Sequence, residues 1–259
     1  MQMNLTELTS FTTLKFSGAK TQEFLQGQLT CDMRELSQHG AHSLGACCDH
    51  RGRMLANFWV VNWQNDFLLV LPKCLSEMVK THLQKYAQFS KVIITPENDF
   101  FIAELNHYHG DKNAAIFITL PGKSRHLMIA EKNLFPFIKI NPDETHWHKN
   151  NITDQLAILC DKTSLLFTPQ MINLEKLGGV SFTKGCYVGQ EIVARTEYLG
   201  KLKRHLHRLT LHSDHAFHPG DELKNDKNEA AGVVVDSVET HQNEHELLAV
   251  MQDPQPIDS

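Results

Sequence analysis

The chain has no apolar run approaching the roughly 20 residues that a membrane span requires. Its first twenty residues also lack the basic n-region and apolar core of a secretory signal. Both absences imply a cytoplasmic protein. Its cysteines are few and scattered: Cys31, Cys47, Cys48, Cys74, Cys160 and Cys186 show no CxxC spacing. That argues against a self-contained zinc or iron–sulfur site, where chelating loops bring at least one close ligand pair. At 259 residues the chain can bury a substantial core without a disulfide framework, so the thiols are expected to be reduced. Basic charge is also short, with 25 Lys and Arg against 30 Asp and Glu and a formal net charge of −5. This argues against bulk nucleic-acid binding, which draws on a strong basic excess to release counterions. The 16 histidines qualify that balance, since mild acid charges many of them. No internal repeat, low-complexity tract or long linker is present.

What is present reads as an ordinary globular chain, 41% hydrophobic and 21% charged. Leu14 and Phe16 alternate with polar residues as in a half-buried strand, and Ala19 to Gln26 reads as a short helix closed by Gly27. From Ala41 to Leu71 the pattern is a β-meander with turns at His50 to Gly52 and Asn62 to Asp66. Leu75, Met78, Val79, Leu83 and Tyr86 recur at helical spacing, and Phe89 to Thr95 returns to strand, stopped by Pro96. Strands are expected at Phe100 to Leu105, Ala114 to Leu120 and Leu127 to Ala130, a helix over Asn151 to Leu159, and a second short helical or irregular segment from Pro169 to Leu177, ending at Gly178 and Gly179. Beyond Gly200 the strand-like pieces and turns suit a small β-barrel.

The densest chemistry lies in Lys184, Gly185, Cys186, Tyr187, Val188, Gly189, Gln190 and Glu191, which place one cysteine between two glycines ahead of a helical run. Free helix N–H groups and a nearby lysine lower a thiol's pKa, which makes Cys186 the candidate reactive thiol. A tight loop-to-helix turn in which Cys186 fills a small buried space satisfies the same spacing. The run Lys201, Lys203, Arg204 and Arg208 reads equally as a charged edge strand that resists aggregation. His212, His215 and His218 have no carboxylate clearly positioned to orient them for a metal.

The run KGCYVGQE, preceded by LGGVSF at Leu177 to Phe182, resembles the signature of the YgfZ family, folate-binding proteins related to the glycine-cleavage T-protein. Phe24 to Asp32 (FLQGQLTCD) and the DxxG turn at Asp49 to Gly52 match further family blocks. The resemblance implies an α+β, three-lobed, T-protein-like fold with mixed α/β lobes and a small C-terminal β-barrel. The lobes are expected over 1–96, 97–196 and 197–259, with the first two open to interleaving. It also implies a tetrahydrofolate cofactor and iron–sulfur client enzymes as partners, including one that thiolates tRNA. No DNA, membrane or direct tRNA contact is expected.

By the same resemblance Trp147 and Phe11 fall where the family's folate-contacting tryptophans lie. Phe11 is a departure, since phenylalanine stacks on a ring but offers no indole donor. Lys184 is a candidate contact for the anionic tail, and Tyr187, Gln190 and Glu191 belong to the cofactor-side motif. Asn57 aligns with the T-protein's catalytic aspartate and cannot ionise, which argues against aminomethyl transfer. Two rival readings are a one-carbon transferase of T-protein type and a docking module that needs no thiol chemistry.

Overall fold

The computed structural model describes residues 5–106, 115–122, 124–134, 142–200 and 202–252. Ala114, at the start of one expected strand, and Lys201 of the basic run lie outside the described residues. In chain order the first elements are β1 (Leu5–Glu7), β2 (Phe11–Ser17), α1 (Thr21–Gln26), β3 (His42–Cys48), β4 (Met54–Trp63), β5 (Asp66–Pro72), α2 (Lys73–Ser90) and β6 (Ile93–Glu97). β7 (Phe100–Asn106), β8 (Ile116–Thr119), β9 (Arg125–Glu131) and α3 (Thr145–Asp154) follow. The chain closes with α4 (Gln190–Tyr198), β10 (His205–His212), β11 (Glu222–Lys224), β12 (Ala230–His241) and β13 (Glu244–Met251). Among the described residues no helix is long and apolar enough to cross a membrane.

These strands make three antiparallel sheets, ordered β3-β4-β5-β2-β6, β1-β7-β9-β8 and β10-β13-β12-β11. The expected meander is β3 to β5. Successive β4 side chains point to opposite faces, so Ala56, Phe58 and Val60 join one hydrophobic cluster while Trp59 and Val61 join another. Burial on both faces explains why this strand is an almost unbroken apolar run. The first sheet thus separates two cores, and β1, which precedes its strands in the chain, pairs with β7 in the second sheet, Leu5 opposite Leu105.

α2 covers one face of the first sheet with Leu75, Val79, Leu83 and Ala87, a stripe at every fourth residue. Met78 and Tyr86, assigned by spacing to that stripe, are 40% and 42% exposed instead. The strand expected to end at Pro96 begins later: Phe89 and Ser90 finish α2, and β6 runs through Pro96, which sits opposite Leu14. β6 is an edge strand, so the missing proline N–H forfeits no ladder bond there.

The helix expected over Asn151 to Leu159 is displaced: α3 ends at Asp154, where Gln155 turns left-handed at φ 54°. The apolar residues that follow form no helix. Leu156 and Ile158 belong to one core, Ala157 and Leu159 to the other. This period of two marks a segment threading between the cores, which a short apolar run cannot distinguish from a buried helix.

α3 is tied to the third sheet by His148, whose Nδ1 lies 2.9 Å from Asp236 Oδ1. Burial favours the neutral ring, but the hydrogen bond and charge of Asp236, helped by Glu144, outweigh it and raise the pKa above the ordinary histidine value. A raised folded-state pKa contributes stability in full below the unfolded value of about 6.5, and loses it as pH rises through the folded value. The Tm of the native protein should therefore exceed that of Asp236→Asn by more at pH 6 than at pH 8. Equal differences at the two pH values, read by differential scanning fluorimetry, would remove this pair from the docking of α3.

Candidate functional site

The sequence blocks that carry the resemblance meet in space. The turn after β3 is held by Asp49, whose Oδ1 accepts from the N–H groups of Arg51 and Arg53, both at 2.9 Å. Gly189 packs onto this turn with φ 84°, and a Cβ there would lie 2.5 Å from the Asp49 carbonyl oxygen and 3.1 Å from Gly52 Cα. Only glycine meets both demands, the left-handed backbone and the close approach. The FLQGQLTCD block closes the other side. Thr30 Oγ1 donates to Gly179 O at 2.6 Å and accepts from Ala46 N at 2.9 Å, while Ser181 N donates to Thr30 O at 2.9 Å.

Lys184 locks the same junction from within. It is 5% exposed, and its ammonium donates to the carbonyls of Leu29 and Cys31, each at 2.7 Å, while lying 5.2 Å from the Tyr187 ring centre. Burial draws its pKa down to about 8, against the opposing pull of Cys31 and Asp32. Two of its three donors are spent inward, so its place is that of a staple between blocks rather than a contact for a ligand's anionic tail. Cys31 beside it is pushed up to about 11 by burial, partly offset by Lys184. Cys47, pushed up to about 12 by burial, is equally inert as a thiol.

Cys186 is exposed. It sits three residues ahead of the Gly189 cap rather than in the first turn of α4. Gly185 beside it is open, with nothing within 4 Å of an added Cβ. Tyr187 turns inward, and its buried hydroxyl has no hydrogen-bond partner. Burial, and then the neighbouring Cys48, push that phenol upward. Gln190 opens α4 half-buried, and Glu191 is exposed in its first turn.

Phe11 and Trp147 come together on the opposite side of the first sheet. Their ring centroids are 5.6 Å apart, edge to face, and Trp59 completes a trio at 6.2 Å from each. Sequence reading missed Trp59 and also Arg125, whose guanidinium lies 5.3 Å from the Trp147 ring centre. Arg125 donates to Glu104 at 2.6 Å, Asp154 at 2.6 Å and Asn151 at 2.8 Å, a buried network with a carboxylate on either side. The Asn151 amide nitrogen, one helical turn beyond Trp147, is buried without a partner. A cleft of about 260 Å³ reaches this core, lined by Trp59, Leu120, Leu156, Leu177 and Gly178 among others. Leu177 packs in the ring core and Val180 in the other, so the segment leading into the Cys186 loop links the two.

Asn57 is fully buried and serves as a clip. Its Nδ2 donates to Ala157 O at 2.7 Å and its Oδ1 accepts from Leu159 N at 2.9 Å. Both ends of the amide are spent on the threading segment, which leaves no free group for proton transfer. In the third sheet β10 is an edge strand, and its Arg208 pairs with Glu246 at 2.7 Å. Among the described residues no group of three or more His, Cys, Asp or Glu side chains is placed to hold a metal ion.

No family model matches the sequence. It is 30% identical to the tRNA-modifying protein YgfZ of Colwellia psychrerythraea, over 85% of this chain and 75% of that one. It is 27% identical to the YgfZ of an Escherichia coli strain, over all of this chain and 88% of that protein. The fold is similar to that of the glycine cleavage system aminomethyltransferase T from Bartonella henselae, with a TM-score of 0.62 over 96% of this chain and 78% of that one, at 12% identity.

Proposed function

This chain belongs to the YgfZ family of tRNA-modifying proteins, and from that premise we propose that it is a tetrahydrofolate-binding accessory factor for the synthesis or repair of iron–sulfur enzymes. Its support of tRNA thiolation is then indirect, through client enzymes in the cytoplasm rather than direct tRNA contact. The third lobe is read as a small β-barrel built on the sheet of β10 to β13.

The observation that carries the reading is the ring trio of Phe11, Trp59 and Trp147, with an unspent buried donor on Asn151 beside it. A pterin needs an aromatic wall and a few convergent polar groups. The residues fit that end of the ligand, and the cleft along Trp59 gives a route to it. Trp147 is only 2% exposed, so a pterin would reach it by parting the rings at the junction of the lobes. When bound, tetrahydrofolate supplies a reduced pterin able to carry a one-carbon unit. Cys186 is the thiol assigned to the chemistry, linked to the ring core through the segment from Leu177 to Val180. The rival transferase reading lacks its carboxylate at Asn57.

Titration with tetrahydrofolate should give a saturable change in tryptophan fluorescence. Trp147→Phe keeps the ring packing and removes the indole N–H, and should weaken binding about tenfold, equivalent to about 1.4 kcal/mol. A flat native titration would sink the folate reading, and unchanged affinity in the variant would take Trp147 out of the site.

A further inference from the structure

The polar edge of the ring trio has a fixed sense. Arg125, itself 4% exposed, sends Nε to Glu104 and one terminal nitrogen to Asp154, both at 2.6 Å, and its other terminal nitrogen to Asn151 Oδ1 at 2.8 Å. A guanidinium carries donors only, so the Asn151 atom that meets it is the amide oxygen. The amide nitrogen therefore faces away from Arg125. The carboxylates that could answer it are committed elsewhere. Glu104 Oε1 also receives the Asn150 amide nitrogen at 3.1 Å, and Asp154 is pressed under Gly122, where an added Cβ would lie 2.7 Å from each of its carboxylate oxygens.

The same contacts tie this donor to the rings. Asn151 lies one helical turn beyond Trp147 and so on the same face of α3. Arg125 touches both, by its hydrogen bond to the Asn151 amide and by its 5.3 Å approach to the Trp147 ring centre. Asn151 is 1% exposed, and its nitrogen has no acceptor. Native interiors rarely leave a buried N–H unpaired, because its lost hydration is not recovered. An acceptor brought by a ligand accounts for this one.

We propose that Asn151 reads the 4-oxo group of the pterin and makes the site selective for 4-oxo over 4-amino pterins. The proposal rests on the folate reading above and adds a specificity to it. The edge of a tetrahydropterin is mostly donors: the 2-amino group and the N–H groups at N3, N5 and N8. Its acceptors are the exocyclic oxygen O4 and the ring nitrogen N1. N1 is recessed beside the 2-amino group, which would set a donor against the Asn151 donor, whereas O4 projects past its neighbours with two lone pairs. In a 4-amino pterin an NH2 group takes the place of that oxygen, so donor meets donor and both stay unpaired. A site built around a hydrogen bond rejects the analogue that cannot make it far more strongly than an apolar pocket rejects a change of size. Arg125 is the positioning residue: by holding the amide oxygen, it keeps the nitrogen turned from itself and free for the ligand.

The test is titration of the full chain, followed by tryptophan fluorescence, with tetrahydrofolate and with tetrahydroaminopterin, its 4-amino counterpart. Tetrahydrofolate should bind about tenfold more tightly or better. Asn151→Asp keeps the oxygen that Arg125 needs but offers the ligand an acceptor, so the preference should collapse or invert. Since that change adds a third carboxylate around Arg125, Asn151→Ala serves as the second variant: it removes the donor without adding charge and should bring the two affinities to about the same value. Equal affinities in the native chain, tighter binding of the 4-amino compound, or a full preference kept by a variant that melts like the native protein would each overturn the proposal and leave the folate reading in place. Binding of neither compound would overturn both.

Discussion

Asn57→Asp yields a less stable protein and no transferase. The substitution supplies the carboxylate that the resemblance to the T-protein implies for this position and that this chain lacks, but the site has no room for its charge. The native amide donates to one carbonyl and accepts from one N–H of the threading segment, fully out of solvent. An ionised carboxylate keeps the acceptor half, then faces the Ala157 carbonyl oxygen with a second negative oxygen. The cost at neutral pH is about 2–4 kcal/mol, the range for an unpaired buried polar or charged group.

The same geometry gives that loss a pH signature. A protonated carboxyl can donate to Ala157 O as the amide does, so the introduced group holds its proton in the folded state above the unfolded value of about 3.9. The unfolded chain then releases its proton first, and stability falls as pH rises from that value towards the folded one. Urea unfolding should show a larger deficit for the variant at pH 7.5 than at pH 5, and an assay with the glycine-cleavage carrier should show no aminomethyl transfer. Native-like stability at pH 7.5, or turnover by the variant, would contradict the assignment of Asn57 as a clip.

Local pattern revealed those parts of the molecule whose cause is local. The meander from β3 to β5 follows from apolar runs and turn residues, and α2 from its periodicity. The blocks at residues 24–32, 49–52 and 184–191 stood out as sequence, yet nothing in their spacing said that they abut. Their contact depends on Thr30, Lys184 and the left-handed Gly189, whose partners lie far along the chain. Lys184 shows the limit of reading charge from composition: a lysine beside a cysteine reads as an electrostatic activator, whereas burial turned this one onto two backbone carbonyls. Phe11 and Trp147 were reached by resemblance alone, and Trp59 and Arg125 were hidden inside an apolar strand and a short polar stretch. The threading segment after α3 was misread because strand and buried helix share the same composition over so few residues.

Cys186→Ser should leave the fold intact and abolish the support of iron–sulfur enzymes proposed above. The exposure of Cys186 leaves no packing role for its side chain, and the open space beside Gly185 shows that the loop tip presses on nothing. The loop's shape is set elsewhere, by Lys184 bound to Leu29 and Cys31 and by Gly189 seated on the Asp49 turn. Exchanging sulfur for oxygen at such a position should change stability by no more than about 0.5 kcal/mol. Serine keeps the size and hydrogen bonding of the residue but supplies no thiolate at neutral pH. Brief, limiting iodoacetamide should label Cys186 and Cys74 ahead of the buried Cys31, Cys47 and Cys48, which mass spectrometry would resolve. In cells lacking the native protein, the serine variant should bind tetrahydrofolate normally yet fail to restore thiolated tRNA. Full restoration by the serine variant would take thiol chemistry out of the mechanism and leave folate binding or partner docking to carry the function.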